Sequence, residues 1–369
     1  MKRAALIFSL LAAAVLALLL GACTSAGYYW QGIAGELDLH NRAQPIPAVV
    51  ETTSDPALKR KLERVLSIRE FASRELALPD NASYRRYTEL DRRFVLWNVF
   101  ATPPLSFTPR QWCFPVAGCV NYRGYFDEAE AKQEATKLVA AGDDAYIGGV
   151  PAYSTLGYFA DPVPSTVIRY PEPEVARLIF HELAHQVVYV KDDTVFNESF
   201  AVAVEEEGVR RWLAAQHDRT LTAQSDAAQR YRNGFLKLVS GTRARLDAIY
   251  ASDASNGEKL AAKNAAFAAM RSDYEALRQA WGGYPAYDSW FAQGPNNASL
   301  IAVGLYTDKV PQFQALLAAE DGDLPRFYLR VKQLAAMPKA ERNQALDAIA
   351  GGSSAAAVLP PLHKPARTS

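Results

Sequence analysis

One five-residue word constrains this chain more than any other: His181-Glu182-Leu183-Ala184-His185. It lies in an apolar run, with Val175, Ala176, Leu178, Ile179 and Phe180 before it and Val187, Val188, Tyr189 and Val190 after it. Residues four apart share one face of a helix, so both imidazoles can reach a single metal ion. Glu182 then stands where a carboxylate can polarise a water held by that ion. Two histidines and a glutamate buried in an apolar helix without partners would cost several kcal/mol, and a metal removes that cost. Of the five histidines in the chain, two are in this word. The expectation is a catalytic zinc with three protein ligands and one open position, on a helix from Pro173 to about Lys191.

The third ligand must come from elsewhere. No further histidine follows closely, but Asn197-Glu198-Ser199-Phe200-Ala201-Val202-Ala203-Val204-Glu205-Glu206-Glu207-Gly208 opens a helix expected over 197–216. Glu198 and Glu205 are seven apart and fall on its apolar face, whereas Glu206 and Glu207 read as solvent-facing. Twelve residues separate His185 from Glu198, and spacing alone favours Glu205, close to the thermolysin distance.

The stretch Asn197–Gly208 resembles the NEGFA stretch of zinc aminopeptidases related to aminopeptidase N, a gluzincin family. That resemblance implies Glu198 as the third ligand, with Glu205 behind the ligands or in contact with substrate. The connection from His185 is shorter than in that family, and its GAMEN exopeptidase signature is absent. In its place stands Tyr146-Ile147-Gly148-Gly149-Val150-Pro151-Ala152-Tyr153. There Gly148 and Gly149 either admit a substrate backbone as an added strand or simply end a strand before a turn.

More widely, the chain resembles a family of proteobacterial lipoproteins named for aminopeptidase activity. The resemblance runs from Tyr28 to about Ala350 and includes Gln111–Cys119, Arg123–Phe126, Gly149–Thr155, the HExxH and Asn197–Ala201 words, Asn296-Asn297-Ala298 and Tyr306. The combined reading is a peptide hydrolase with one Zn2+ per chain, held by His181, His185 and Glu198. Glu182 serves as general base, and Tyr306 or Tyr153 as the donor to the tetrahedral oxyanion. Glu205 could instead meet the substrate's free ammonium group. An endopeptidase or small-peptide hydrolase of the envelope stays open as an alternative, as does a non-catalytic zinc-stabilised scaffold. The presence of Glu182 argues against the scaffold.

The ends of the chain bear on location. Lys2 and Arg3 precede an uncharged apolar run, Ala4–Leu20, which ends in Gly21-Ala22-Cys23. This is the pattern of a lipoprotein signal over 1–22 with Cys23 lipidated, set against an ordinary secretory signal or a membrane anchor. Thr24 favours the outer membrane by the usual Gram-negative sorting pattern, which places the body on the periplasmic side. Export makes a disulfide between Cys113 and Cys119 the expectation. The 40 basic and 40 acidic residues leave 38 against 40 once Lys2 and Arg3 are removed, and no basic run suggests nucleic acid. The expected partners are therefore a peptide and, through the lipid, a membrane.

Residues 23–50 are expected to be the lipidated N-terminus and tether, 51–350 the peptidase domain, and 351–369 a disordered tail. Within the domain, 51–172 reads as mixed and 173–350 as helical. A helix capped by Ser54-Asp55 runs to Leu76, and another spans Asp127–Ala141. Strands are expected at Phe94–Phe100, Val120–Gly124, Ala145–Val150 and Thr166–Tyr170. A helical hairpin over Thr222–Ala280 breaks at Ser252–Gly257, a Tyr- and Trp-containing loop covers Gly282–Pro295, and shorter helices finish the domain. The fold class is α+β, predominantly helical, with a small mixed sheet packed on a gluzincin-like HExxH helix and a helical C-terminal half.

Overall fold

A computed structural model of the protein describes residues 27–114, 118–304 and 308–361. The signal segment 1–22, Cys23, Tyr306 and the last part of the expected tail lie outside the described residues. The described chain begins in helix α1 (27–41), within the segment expected to include the tether. Tyr28 stacks on Phe114 and meets Tyr125 edge-on, with the Arg123 guanidinium 4.1 Å from its ring centroid. A short β1 (Gln44–Pro45) and α2 (Ile46–Thr52) lead to α3 (Pro56–Leu76). This helix starts where the sequence places it because the Asp55 side chain accepts from the N–H groups of Ala57 and Leu58, with Pro56 in the first turn.

β2 (Arg86–Thr88), β3 (Leu96–Thr102), β4 (Trp112–Phe114), β5 (Gly118–Val120) and β6 (Arg123–Tyr125) precede α4 (Glu128–Ala140) and β7 (Asp144–Val150). β8 (Val163–Pro164) then runs directly into α5 (Ser165–Ile168). Instead of one mixed sheet there are three small ones. The order β1-β2-β8 combines an antiparallel and a parallel pairing, β6-β3-β7 is antiparallel throughout, and β4-β5 is a hairpin. Cys113 and Cys119 sit opposite each other in that hairpin and form the expected disulfide.

Two strand expectations need correction. Thr166–Tyr170 falls largely in α5, whose four residues are all buried. A short, fully buried apolar run carries no periodicity that separates strand from helix. The strand expected over Val120–Gly124 is two strands, β5 and β6, parted at Asn121 and Tyr122.

The rest is helical: α6 (Glu172–His185), α7 (Thr194–Gln216), α8 (Arg219–Ala251), α9 (Asn256–Ala280), α10 (Asp288–Ala292), α11 (Asn297–Gly304), α12 (Val310–Ala319), α13 (Leu324–Ala335), α14 (Lys339–Ala350) and α15 (Ala355–Val358). α8 and α9 are the expected hairpin, started by an Asp218 cap and a Ser255–Glu258 capping box. α10 interrupts the aromatic loop. α6 ends at His185 and not near Lys191. The Gln186 and Val187 N–H groups tighten onto the carbonyls three residues back, and the Val-rich run leaves the helix. Asn197 then clamps the Val190 backbone, accepting from its N–H at 2.7 Å and donating to its carbonyl at 2.8 Å.

α3, α6, α7 and α12 to α14 share the main core, with Leu62, Phe180, Phe200, Trp212, Phe313 and Phe327 buried in it. α7 lies close on α6 because residue 208 is glycine. A Cβ there would stand 2.7 Å from the Phe180 ring and 2.9 Å from Leu76. Sheet β6-β3-β7 packs one face on α4 through Trp97, Val99, Tyr125 and Ala131. Its other face packs on α11 through Phe100, Ala298, Ile301 and Ala302 and beside them lines a cavity whose opposite wall is α6, so the sheet does not pack directly on that helix as expected. Among the described residues no helix is long and apolar enough to cross a membrane.

Candidate active site

The cavity measures about 910 Å3. Leu96, Asn98, Phe100, Tyr146 and Gly148 line its sheet wall, while Glu174, Arg177, His181, Glu182 and His185 line the wall made by α6. α6 presents its two histidines on one face, and the first turns of α7 bring Glu198 to them. His181 Nε2 is 3.2 Å from His185 Nε2 and 3.3 Å from Glu198 Oε2, and that oxygen is 3.8 Å from His185 Nε2. Ligand atoms about 2.0–2.1 Å from a tetrahedral zinc lie about 3.3 Å from one another, so this donor set fits the ion. Of the two glutamates left open by the sequence, Glu198 is the one that meets both imidazoles.

Glu205 stands behind His181. Its Oε2 is 2.9 Å from His181 Nδ1, and its Oε1 accepts from Arg177 at 2.8 Å and from Arg232 at 3.5 Å. Both oxygens are engaged, which favours the role behind the ligands over contact with a substrate ammonium. Burial pushes the Glu205 carboxyl up, but the His181 hydrogen bond and the two guanidinium charges outweigh it and hold it at about 2. Burial also disfavours a charged His181, yet its contacts with Glu198 and Glu205 raise its pKa well above the ordinary value. His185 is driven the other way, to about 4, by burial and by the neighbouring His181 charge, against the pull of Glu198. Both His181 nitrogens thus face carboxylates, Nδ1 toward Glu205 and Nε2 toward Glu198.

Glu182 is 7% exposed and lines the cavity. It makes no hydrogen bond or ion pair with any described residue. Burial pushes its carboxyl up to about 8, with His181 opposing and Glu198 adding to the rise. A buried acid without a partner, beside three metal-type donors, is an arrangement suited to moving a proton.

The other expected residues fare unevenly. β7 is an edge strand, and Gly148 and Gly149 both line the cavity. A Cβ on Gly149, however, would lie 2.3 Å from the Phe94 ring, so that glycine is required by packing and not by substrate. Tyr153 lines the cavity but donates its hydroxyl to Glu36 of α1, which leaves it poorly placed as an oxyanion donor. Tyr306 lies outside the described residues. Glu206 and Glu207 are half-buried instead of solvent-facing, and Glu206 borders the cavity.

Sequence reasoning missed Arg177, Arg232 and Tyr122. Arg177 had a signal, since it sits four residues before His181 on the same helix face. Arg232 had none, because only the packing of α8 brings it near. Tyr122 also lines the cavity, where burial and the charges of Glu198 and Glu182 raise its pKa.

With this geometry in place, comparison with known proteins adds one finding. Residues 27–346 match the model of a family described as "Putative aminopeptidase". The chain belongs to that family. The match to the aminopeptidase family takes in the sheets, the cavity and all of the site residues named above. No curated protein and no solved structure matches this chain.

Proposed function

We propose that the protein is a zinc-dependent aminopeptidase. One observation carries the reading: three donor atoms at zinc spacing share a cavity with a buried glutamate that has no partner among the described residues. His181, His185 and Glu198 would hold the ion, which when bound lowers the pKa of a coordinated water and polarises a carbonyl. Glu182 takes the proton of the attacking water and returns it to the departing amine. Glu205, fixed by Arg177 and Arg232, holds the His181 ring by Nδ1 so that Nε2 faces His185 and Glu198, where it would be free to bind the ion.

The remaining carboxylates bear on which peptides enter. Glu174 is paired with Arg177 and Arg232, and Glu205 with both arginines and His181. Glu206 accepts from Gln314 at 2.6 Å and has no ion pair among the described residues. Burial, with Glu205 nearby, pushes its carboxyl up, a condition that a substrate ammonium relieves. We assign Glu206 to the free amino terminus. Phe235, Tyr287 and Trp290 line the cavity and suit an apolar side chain, and the edge of β7 offers ladder hydrogen bonds to an extended substrate. Lipidation of Cys23 is part of the proposal and would hold this body at the periplasmic face of the outer membrane.

The test compares matched peptides with free and N-acetylated termini, alongside metal analysis. The expected result is one zinc per chain that depends on His181, with cleavage of the free peptide alone. Equal cleavage of the blocked peptide would make the protein an endopeptidase. Absence of His181-dependent zinc would end the metal reading.

A further inference from the structure

A second group of metal-type donors lies away from the His181 triad. Glu36 and His40 stand four apart on α1, and Asp161, 3% exposed, comes from the segment between β7 and β8. One ligand atom from each residue lies within 4.8 Å of the others. Three observations say that something positive belongs between them. First, Glu36 Oε1 and His40 Nε2 are buried and make no hydrogen bond, with Oε1 3.1 Å from His40 Nδ1. Second, no lysine or arginine among the described residues forms an ion pair with Glu36 or Asp161, so two carboxylates face a single imidazole. A buried carboxylate beside a half-buried one calls for a counter-charge.

Third, the donors are already held in place. Tyr153 donates its hydroxyl to Glu36, and Thr155 donates to Asp161 from its N–H at 3.0 Å and its Oγ1 at 2.6 Å. The Phe159 ring flanks His40 with centroids 5.3 Å apart. Outer hydrogen bonds of this kind orient metal ligands.

We propose that Glu36, His40 and Asp161 form a second divalent-cation site, which fastens α1 to the rim of the cavity. One imidazole with two carboxylates selects a first-row transition ion such as Zn2+ or Mn2+ over Mg2+ or Ca2+, which prefer all-oxygen shells. The rim is the direct beneficiary. Tyr153 and Ser154 line the cavity, and the next residue, Thr155, binds Asp161. An ion here therefore joins the helix that follows the Cys23 region to the wall of the catalytic cavity, without touching the reacting atoms.

Calorimetric titration of untagged, metal-stripped protein with Zn2+ tests the proposal. Two equivalents should bind per chain. His40→Ala and, separately, Glu36→Gln should each leave one, His181→Ala should leave the other, and His181→Ala with His40→Ala should leave none. The Glu36 and His40 side chains are 20% and 18% exposed, so both substitutions are tolerable to the fold. As a second readout, Zn2+ should raise the Tm of the His181→Ala chain and lose that effect when His40→Ala is added. A single equivalent insensitive to His40→Ala and Glu36→Gln overturns the second site and leaves the catalytic reading intact. A second equivalent that survives both substitutions overturns it as well. Failure of the His181-dependent equivalent alone counts against the catalytic reading and not against this site.

Discussion

The two donor clusters use the same chemistry, imidazole and carboxylate, but the fold supports them differently. His181, His185 and Glu198 come from two long helices that share the main core, and their side chains are 10%, 9% and 12% exposed. Behind them Glu205 accepts from Arg177 and Arg232 and meets His181 Nδ1. Glu36, His40 and Asp161 come from one helix and one loop, Glu36 and His40 nearer to solvent, and their hydrogen bonds come from hydroxyls and a backbone N–H. A charged network tunes reactivity, while neutral hydrogen bonds only hold position. On the two readings proposed above, the first cluster serves chemistry and the second attachment.

Parallel histidine deletions test that contrast with the largest effect. His181→Ala should reduce peptide cleavage to background. His40→Ala should change kcat/KM by less than about tenfold, the lower end for residues that act through a metal's surroundings. Equal losses from the two would erase the distinction. Next comes Glu182→Gln, which should lower kcat by about 10²–10⁴-fold while the His181-dependent zinc stays bound. Unchanged kcat would remove Glu182 from the reaction. Glu205→Gln should then weaken zinc at the first cluster by about 10–100-fold, since the amide no longer balances Arg177 or holds the His181 ring as firmly. Full zinc affinity in that variant would mean that the arginine-carboxylate network does not orient the ligand.

The two clusters also differ in how far the sequence exposes them. The first is visible because both histidines and Glu182 lie on one helix, the histidines at helical spacing. Glu198 is visible through its local word, although chain spacing alone pointed to Glu205. Long capped helices such as α3 and the α8–α9 hairpin can be read for the same reason, since caps and periodicity are local. The second cluster is half visible. Glu36 and His40 are four apart, but they lie in a stretch that reads as tether, and Asp161 arrives only through tertiary folding. Arg232 is hidden likewise. α5 is hidden by the opposite circumstance: with every residue buried, its short run has no polar face from which a period could be read.

Tyr153 gives the smallest effect and the sharpest division, because it touches both regions. It lines the cavity beside His181, yet its hydroxyl is directed at Glu36. Tyr153→Phe keeps the ring and removes only that bond, which is worth about 1–3 kcal/mol when the acceptor is charged. If the tyrosine serves the second cluster, the variant should show weaker His40-dependent Zn2+ binding and a modest rise in KM as the rim loosens, with kcat nearly unchanged. A donor to the oxyanion would behave differently. Losing it costs about 10²–10³ in kcat and leaves the second cluster's metal affinity alone. Steady-state kinetics and Zn2+ titration on this one variant therefore decide to which cluster the Tyr153 hydroxyl belongs, and a fall in kcat of that size would return it to the reaction.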